Sequence, residues 1–443
     1  MTQKSPTQVH IETFGCQMNE SDSELVRSML KREGFAFTPD RERADVVLVN
    51  TCAIRENAHN KIYAHLSELK MLKNQRPLVV GVLGCMAQNL KTELAEKEPL
   101  VDILAGPDAY RQLPKLVSRA LETQEQGFDQ KGFALDLSEY ETYEGILPDR
   151  ESGVNAWITV MRGCDNFCSF CVVPYTRGRE RSRPPEAVLA EARDAAARGF
   201  KQLTLLGQNV NSYRHEDWDF AKLIRAVADT PGINRVRFTS PHPKDFPQAV
   251  IDAIATHPAI CKHIHLPLQA GNDRILSLME RTYTAKDFLA LVERIRTAIP
   301  EIVLTTDIIC GFCSESDEEF HDTRRMVEQV RFDSAYIFKY SERKNTIAAR
   351  KFADDVPDCV KGSRVSTLVE IQRRITLERN RRYVGRDVEI LVEGDATRSS
   401  IQGMGKTDGN ITVVWDKGTG PFESGTMVTK HIFEASAATL YGE

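Results

Sequence analysis

The sequence predicts an α/β protein of three successive domains: an amino-terminal doubly wound parallel sheet, a central partial (β/α)6 barrel and a small OB-like β-barrel at the carboxyl end. Three observations carry this. Residues 9–16, 44–52 and 78–85 are apolar, β-branched runs separated by helical patterns, as expected of strands buried on both faces of a parallel sheet. From Ala156 a second strand–helix alternation runs through six strands. After Arg386 the pattern changes to short β runs with Gly-rich turns. The 443 residues suffice for two to four domains, and 41% hydrophobic with 27% charged residues describes an ordinary globular chain.

The start, MTQKSPTQVH, is polar and lacks the apolar core of a leader. No apolar run approaches the roughly 18 residues that span a bilayer. A cytoplasmic, reducing location without a membrane partner is expected, and there the ten cysteines serve as ligands or buried thiols rather than disulfides. The net charge of −5 gives no global attraction for nucleic acid, so RNA binding must come from local basic patches.

The first domain is expected over residues 8–124. Its three strands end in Cys16, Cys52 and Cys85, with helices over Ser21–Glu33, Arg55–Lys73 and, after the run Val101–Gly106, Tyr110–Thr123. Ligands gather at the carboxyl ends of parallel strands. If the strands are neighbours, the three sulfurs converge on one edge, with no evident fourth ligand; three unrelated buried thiols are the alternative. Residues 124–153, rich in charge, Gly and Ser, read as a linker with one strand at Gly132–Asp136.

The central strands are predicted at Trp157–Met161, Gln202–Leu206, Arg235–Thr239, His263–Leu266, Ile302–Ile309 and Ser334–Tyr340. The loop after the first carries Cys164-x3-Cys168-x2-Cys171. Thiolates suit iron–sulfur clusters, zinc and copper(I). Structural zinc is closed by four protein ligands, and a simple electron-transfer [4Fe-4S] cluster takes four cysteines. No Cys or His follows Cys171 within forty residues, so one iron of a cluster would stay open for a small ligand. A zinc knuckle or a group of buried thiols is the competing reading. Cys310-x2-Cys313 could form a redox or metal pair, but Cys310 ends an apolar strand and is expected in the core; Cys261 and Cys359 have no partner pattern.

The segment Met161–Val173, with Phe170 beside the last cysteine, resembles the radical S-adenosylmethionine (SAM) superfamily. The resemblance implies a central domain at 150–375, with SAM chelated to the open iron and cleaved by one electron to methionine and a 5′-deoxyadenosyl radical. It also implies SAM contacts from Gln208 and Asn209 after the second strand, and from Ser240 and His242 after the third, although His242 also reads as a structural loop residue. His265–Asn272 and Thr305–Ser316 resemble family segments, with Ala270, Cys313 and Ser314 departing from the usual residues. Phe14–Glu24, Asn50–Ala58 and Gly84–Gln88 resemble the amino-terminal domain of the methylthiotransferases, which implies an auxiliary [4Fe-4S] cluster on Cys16, Cys52 and Cys85. Gly403–Ile411 and Ala438–Gly442 resemble the TRAM domain, which implies an RNA-binding barrel at 376–440.

Two basic blocks are candidate substrate contacts. Arg177, Arg179, Arg181 and Arg183 follow the cluster loop, where Arg suits bidentate phosphate contacts. Between Lys361 and Arg386 eight basic residues face two acidic ones, and Arg373, Arg374, Arg381 and Arg382 are the expected RNA contacts. The resemblance implies methylthiolation by two [4Fe-4S] clusters and two SAM molecules, with an electron-donor protein and a monomeric enzyme. The wording of Phe14–Asn19 and Asn50–Ala58 resembles the tRNA branch acting on C2 of N6-isopentenyl-adenosine 37 in the anticodon stem-loop. The alternatives within the family are threonylcarbamoyl-adenosine 37 and an aspartate of a ribosomal protein. Outside it, the alternative is a non-enzymatic RNA-binding metalloprotein.

Overall fold

The computed structural model describes residues 6–53, 56–127, 131–397, 399–418 and 423–443. The first five residues of the polar start, and Ile54 and Arg55 of the Asn50–Ala58 segment, lie outside these. The chain forms two compact units. The first comprises the residues up to Glu151 with Met161–Arg183 and Arg343–Ile347; the second comprises Ser152–Val160, Pro184–Glu342 and Ala348–Glu443.

The first unit is built on β1 (Gln8–Thr13), α1 (Gln17–Arg32), β2 (Ala36–Phe37), β3 (Val46–Thr51), α2 (Glu56–Gln75), β4 (Val79–Gly84), α3 (Cys85–Leu90), α4 (Thr92–Lys97), β5 (Ile103–Ala105), α5 (Leu113–Glu125) and β6 (Gly132–Ala134). The strands form one parallel sheet in the order β2-β1-β3-β4-β5-β6. Every residue of β3 and β4 is buried, which is why both read as unbroken apolar runs. The order reverses between β1 and β3, the place where doubly wound sheets hold ligands. The expected linker is more than a linker. Gly132–Ala134 is the sixth strand, and Tyr143 and Ile146 join the core under α1 and α5. Tyr143 anchors there because its hydroxyl donates to Pro107 O (2.8 Å) and accepts from Tyr110 N (3.0 Å).

The chain enters the second unit at β7 (Asn155–Thr159). It then returns to the first for β8 (Met161–Arg162), α6 (Val173–Arg177) and β9 (Arg181–Ser182), with β8 and β9 antiparallel. The predicted first strand, Trp157–Met161, is thus divided, and the cysteine loop expected within the central domain packs with the first unit.

The second unit continues with α7 (Pro185–Ala197), β10 (Gln202–Leu206), the hairpin β11 (Arg214–His215) and β12 (Trp218–Asp219), α8 (Phe220–Ala228), β13 (Arg235–Phe238), α9 (Gln248–Thr256), β14 (His263–His265), α10 (Asp273–Leu278), α11 (Ala285–Ala298), β15 (Val303–Cys310), α12 (Asp317–Val330) and β16 (Ser334–Lys339). Strands β7, β10 and β13 form one parallel sheet and β14, β15 and β16 another, joined by the single bridge Val236–Ile260. Six strands in this arrangement make the expected partial barrel.

After α13 (Ile347–Lys351), α14 (Asp358–Arg381) lays Leu368, Ile371 and Ile375 on a core shared with Ile308, Cys310, Phe320 and Val327. Then β17 (Asp387–Ala396), β18 (Ser399–Thr407), β19 (Thr412–Asp416), β20 (Met427–Ala435) and β21 (Thr439–Gly442) close a five-stranded barrel around Trp415. The turn after β18 docks on the larger barrel. Arg237 donates to the carbonyls of Thr407 (2.8 Å) and Asp408 (2.9 Å), Arg235 donates to those of Lys406 and Glu389, and Lys262 N donates to Asp408 Oδ2 (2.9 Å).

Candidate active site at two sets of cysteines

The first set is assembled by topology. Cys16 caps α1, Cys52 follows β3 and Cys85 opens α3, so all three stand at the carboxyl edge around the reversal of strand order. Gly15 permits the approach: its φ is +139°, and a Cβ there would lie 2.5 Å from Cys52 Cβ. Buried amides fix the register of the loops. Asn19 Nδ2 donates to Asn50 Oδ1 (3.1 Å), and Asn50 Nδ2 donates to Asn19 O (2.9 Å) and Ser23 Oγ (3.0 Å). A hydrogen bond with Cys52, aided by the charge of Arg177, outweighs burial and lowers Cys16 to about 6. Burial raises Cys85, against the pull of Arg177.

The second set lies within one loop. Gly163, at φ +79°, lets the chain pass Arg179 O, which a Cβ would meet at 2.0 Å. Cys164 N then donates to Gly178 O (3.1 Å), and Cys171 N to Cys168 O (2.9 Å). Asn166 Nδ2 lies 3.6 Å from Cys164 Sγ, and burial pushes Cys164 up to about 11. The two sets meet inside the first unit: Val172, next to Cys171, packs on Cys85 and Ala53.

An ion-pair network holds the meeting together. Arg177 donates from Nε to Cys85 Sγ (3.2 Å) and from a terminal nitrogen to Asp22 Oδ2 (2.9 Å), while Arg162 donates to Asp22 Oδ1 (2.6 Å) and lies 4.6 Å from the centre of the Tyr143 ring. All three charged side chains are buried. Arg181, also buried, donates to Asp108 (2.8 Å) and to the carbonyls of Ser138 and Glu141. Arg177 and Arg181, expected to face a substrate, therefore point inward, where the buried carboxylates of Asp22 and Asp108 offset the desolvation of the guanidinium groups. Arg183 is buried too. Only Arg179 of the block is exposed, over the Phe167 ring and 3.4 Å from Asp165.

Asp22 was not among the expected site residues. Asn19, Ser21, Asp22 and Ser23 are all polar and all buried. The sequence does not announce this, because such residues are mostly exposed and a polar stretch of helix reads as a solvated face.

The expected SAM residues lie in the second unit. The loops after β10 and β13 are joined by Val210 N donating to Ser240 O (3.3 Å), and by the Asn211 side chain, which accepts from His242 N (2.7 Å) and donates to His242 O (3.0 Å). Asn209 and His242 are buried; Gln208 and Ser240 are half-buried. His242 Nδ1 accepts from Lys244 N, and burial lowers the ring to about 2, so it is a neutral loop residue. Its Nε2 has no hydrogen-bond partner among the described residues, an orphaned polar atom that fits a polar ligand on these loops.

The basic stripe on α14 is interrupted. Lys361 pairs with Asp354, Arg364 with Glu315 and Asp317, Arg379 and Arg382 with Asp333, and Arg386 with Glu301. Arg382, expected on RNA, reaches a buried carboxylate at 3.3 Å yet is itself exposed. Arg373, Arg374 and Arg381 are exposed as well. Cys310 packs in the core as expected, and Cys313 and Cys261 are buried while Cys359 is exposed.

Among the described residues, no three His, Cys, Asp or Glu side chains already surround a common point as metal ligands do. What fits an iron–sulfur centre is the donor chemistry, three thiols in each set and a buried guanidinium to balance thiolate charge. Among the described residues, no helix is long and apolar enough to cross a membrane.

Comparison with known proteins agrees with this anatomy. Residues 8–106 match the family described as "Uncharacterized protein family UPF0004", residues 158–327 the radical SAM superfamily and residues 381–443 the TRAM domain. Among solved structures, the radical SAM methyltransferase TsrM from Kitasatospora setae, with cobalamin and a [4Fe-4S] cluster bound, is similar with a TM-score of 0.58 at 15% identity, over 78% of this chain and 77% of that one. The cobalamin-dependent enzyme OxsB, in its apo form, gives 0.53 at 12% identity, over 84% and 61%. At such identities these show the fold alone. Proteins named tRNA-2-methylthio-N(6)-dimethylallyladenosine synthase are far more similar. That of Porphyromonas gingivalis is 46% identical over 99% of this chain and 95% of its own length, and that of Chlorobium chlorochromatii 44% over 100% and 98%. Radical SAM membership implies SAM and a [4Fe-4S] cluster as cofactors. With relatives of this identity over its whole length, the chain belongs to the radical SAM methylthiotransferases, in the family of the tRNA-2-methylthio-N(6)-dimethylallyladenosine synthases.

Proposed function

We propose that this protein methylthiolates C2 of N6-isopentenyl-adenosine 37 in the tRNA anticodon stem-loop, as a cytoplasmic monomer served by an electron-donor protein. The observation that carries the reading is the meeting of the two cysteine sets, with Val172 on Cys85 and Arg177 on the Cys85 sulfur. Cys164, Cys168 and Cys171 would hold one [4Fe-4S] cluster and Cys16, Cys52 and Cys85 another. When bound, these would supply the electron for cleaving one SAM and a seat for sulfur methylated by a second SAM.

The chain's own residues set the conditions. Asp22, Arg162 and Arg177 hold the two cysteine sets in one packed unit and place a fixed positive charge beside the sulfurs. Gln208, Asn209, Ser240 and His242 offer polar groups to the amino, carboxylate and ribose groups of SAM. Arg179, Arg373, Arg374, Arg381 and Arg382 are exposed and suit phosphate contacts. The target base must leave its stack to reach buried sulfur chemistry.

The test pairs anaerobic iron and sulfide analysis with an assay on prenylated tRNA. About eight irons and eight sulfides per chain, and a methylthio product, are expected. A Cys16→Ala/Cys52→Ala/Cys85→Ala protein should hold about four irons and cleave SAM without forming product. Full product formation by that variant would overturn the two-site reading, and zinc without sulfide would overturn the radical chemistry.

A further inference from the structure

The inner face of β14–β16 carries groups that the reading above does not use. Register and burial define this face. Ile308, Cys310 and Ile337 pack outward on the core with α12 and α14. Their alternates Asp307, Ile309, Tyr336 and Phe338 therefore point to the opposite face. In the parallel register Asp307 pairs with Tyr336 and Ile309 with Phe338, while His265 pairs with Thr305 one row below. The rows are two residues, about 7 Å, apart along the strands.

These side chains form an ordered, partly open surface. His265 is held at both ring nitrogens, Nδ1 on Thr305 Oγ1 (2.9 Å) and Nε2 on Asp307 Oδ2 (3.2 Å). The Tyr336 ring meets it edge-on at 6.0 Å. Tyr336 is 57% exposed and Phe338 37%, unusual for large aromatics in the body of a strand. The surface is continuous with the loops that suit SAM. Gln269 N donates to Asp307 O (2.9 Å) and Ile309 N to Gln269 O (2.9 Å). From there Tyr283 links the Leu268 carbonyl (2.8 Å) to the His242 ring (5.7 Å).

We propose that Asp307, Tyr336, Ile309 and Phe338 form the subsite for the N6-prenylated adenine base. The inference rests on the function proposed above and adds the residues that choose the substrate. An extruded purine needs an aromatic face to stack on and a hydrogen-bond acceptor for its exocyclic N–H. Tyr336 supplies the face and the Asp307 carboxylate the acceptor. A branched hydrocarbon on N6 needs an apolar wall, which Ile309 and Phe338 supply one row above. The same carboxylate disfavours an N6 substituent that carries its own carboxylate, since like charges at close range repel.

The test is binding of anticodon stem-loop RNAs carrying N6-isopentenyl-adenosine, plain adenosine or N6-threonylcarbamoyl-adenosine to the full-length, cluster-loaded protein. Wild type should prefer the prenylated RNA; if it does not, the functional reading fails before the subsite is in question. Ile309→Ala/Phe338→Ala should cut the preference over plain adenosine about tenfold or more. Tyr336→Ala should weaken the prenylated and the plain-adenosine RNA by a similar factor, and Tyr336→Phe should restore binding. Asp307→Asn should narrow the discrimination against the threonylcarbamoyl RNA. Circular dichroism and iron content show that each variant is folded and loaded; Asp307→Asn, which keeps shape, decides the matter if the alanine variants misfold. Unchanged preference in folded Ile309→Ala/Phe338→Ala and Asp307→Asn proteins, or undiminished binding by folded Tyr336→Ala, would overturn the proposal.

Discussion

The two cysteine sets offer the same three thiols in opposite settings. Cys164, Cys168 and Cys171 occupy one short loop, where spacing alone brings the sulfurs close. Cys16, Cys52 and Cys85 are brought together by a sheet whose strand order reverses between β1 and β3. Their electrostatics differ as well. Cys16, hydrogen-bonded with Cys52 and near Arg177, sits at about 6, whereas burial without a nearby cation leaves Cys164 at about 11. A contiguous site draws its precision from the local chain. A discontinuous site draws it from the fold, and here it is held by buried charge.

The largest separation of the two should come from Arg177→Gln. The change leaves Asp22 with one of its two guanidinium partners and removes the cation beside Cys85. Breaking a buried pair in this way costs about 3–5 kcal/mol. Thermal unfolding should show the loss, and iron content should fall toward about four per chain as the first set empties before the second. Equal loss from both sets would show that the network serves the whole unit rather than one site. Gly15→Ala is a smaller probe. Its Cβ collides with Cys52 at a φ that side chains rarely adopt, a strain of about 1–3 kcal/mol confined to the first set. Iron uptake there should slow while SAM cleavage at the second set continues. The mildest probe needs no mutation. In the metal-free protein at pH 7, Cys16 is mainly thiolate and Cys164 mainly thiol, because one lies below that pH and the other far above it. Alkylation of Cys16, followed by mass spectrometry, should level off above about pH 7, while that of Cys164 still rises at pH 9.

Much of this arrangement is legible in the sequence, and the exceptions have a common cause. The runs ending in Cys16, Cys52 and Cys85 announce a parallel sheet because strands covered on both faces need no alternation. The loop from Cys164 to Cys171 announces itself by spacing. Arginines are harder to read, since a sequence does not say whether a guanidinium meets solvent or a carboxylate far along the chain. Arg177 and Arg181 form such pairs with Asp22 and Asp108, and Arg364 and Arg379 with Glu315 and Asp333. Tyr143 escaped notice for the same reason: a lone aromatic in a polar segment becomes core only when the fold brings Pro107 and Tyr110 to its hydroxyl.

The turn from Lys406 to Asp408 has a consequence for inheritance and engineering. Its carbonyls are the acceptors of Arg235 and Arg237, both buried in a strand of the larger barrel. Removing the small barrel would strip both guanidinium groups of those acceptors and uncover the surface that the seam buries. The carboxyl-terminal domain is therefore no tethered accessory that can be trimmed or exchanged at will. A chimera between relatives should keep both sides of this seam from one parent.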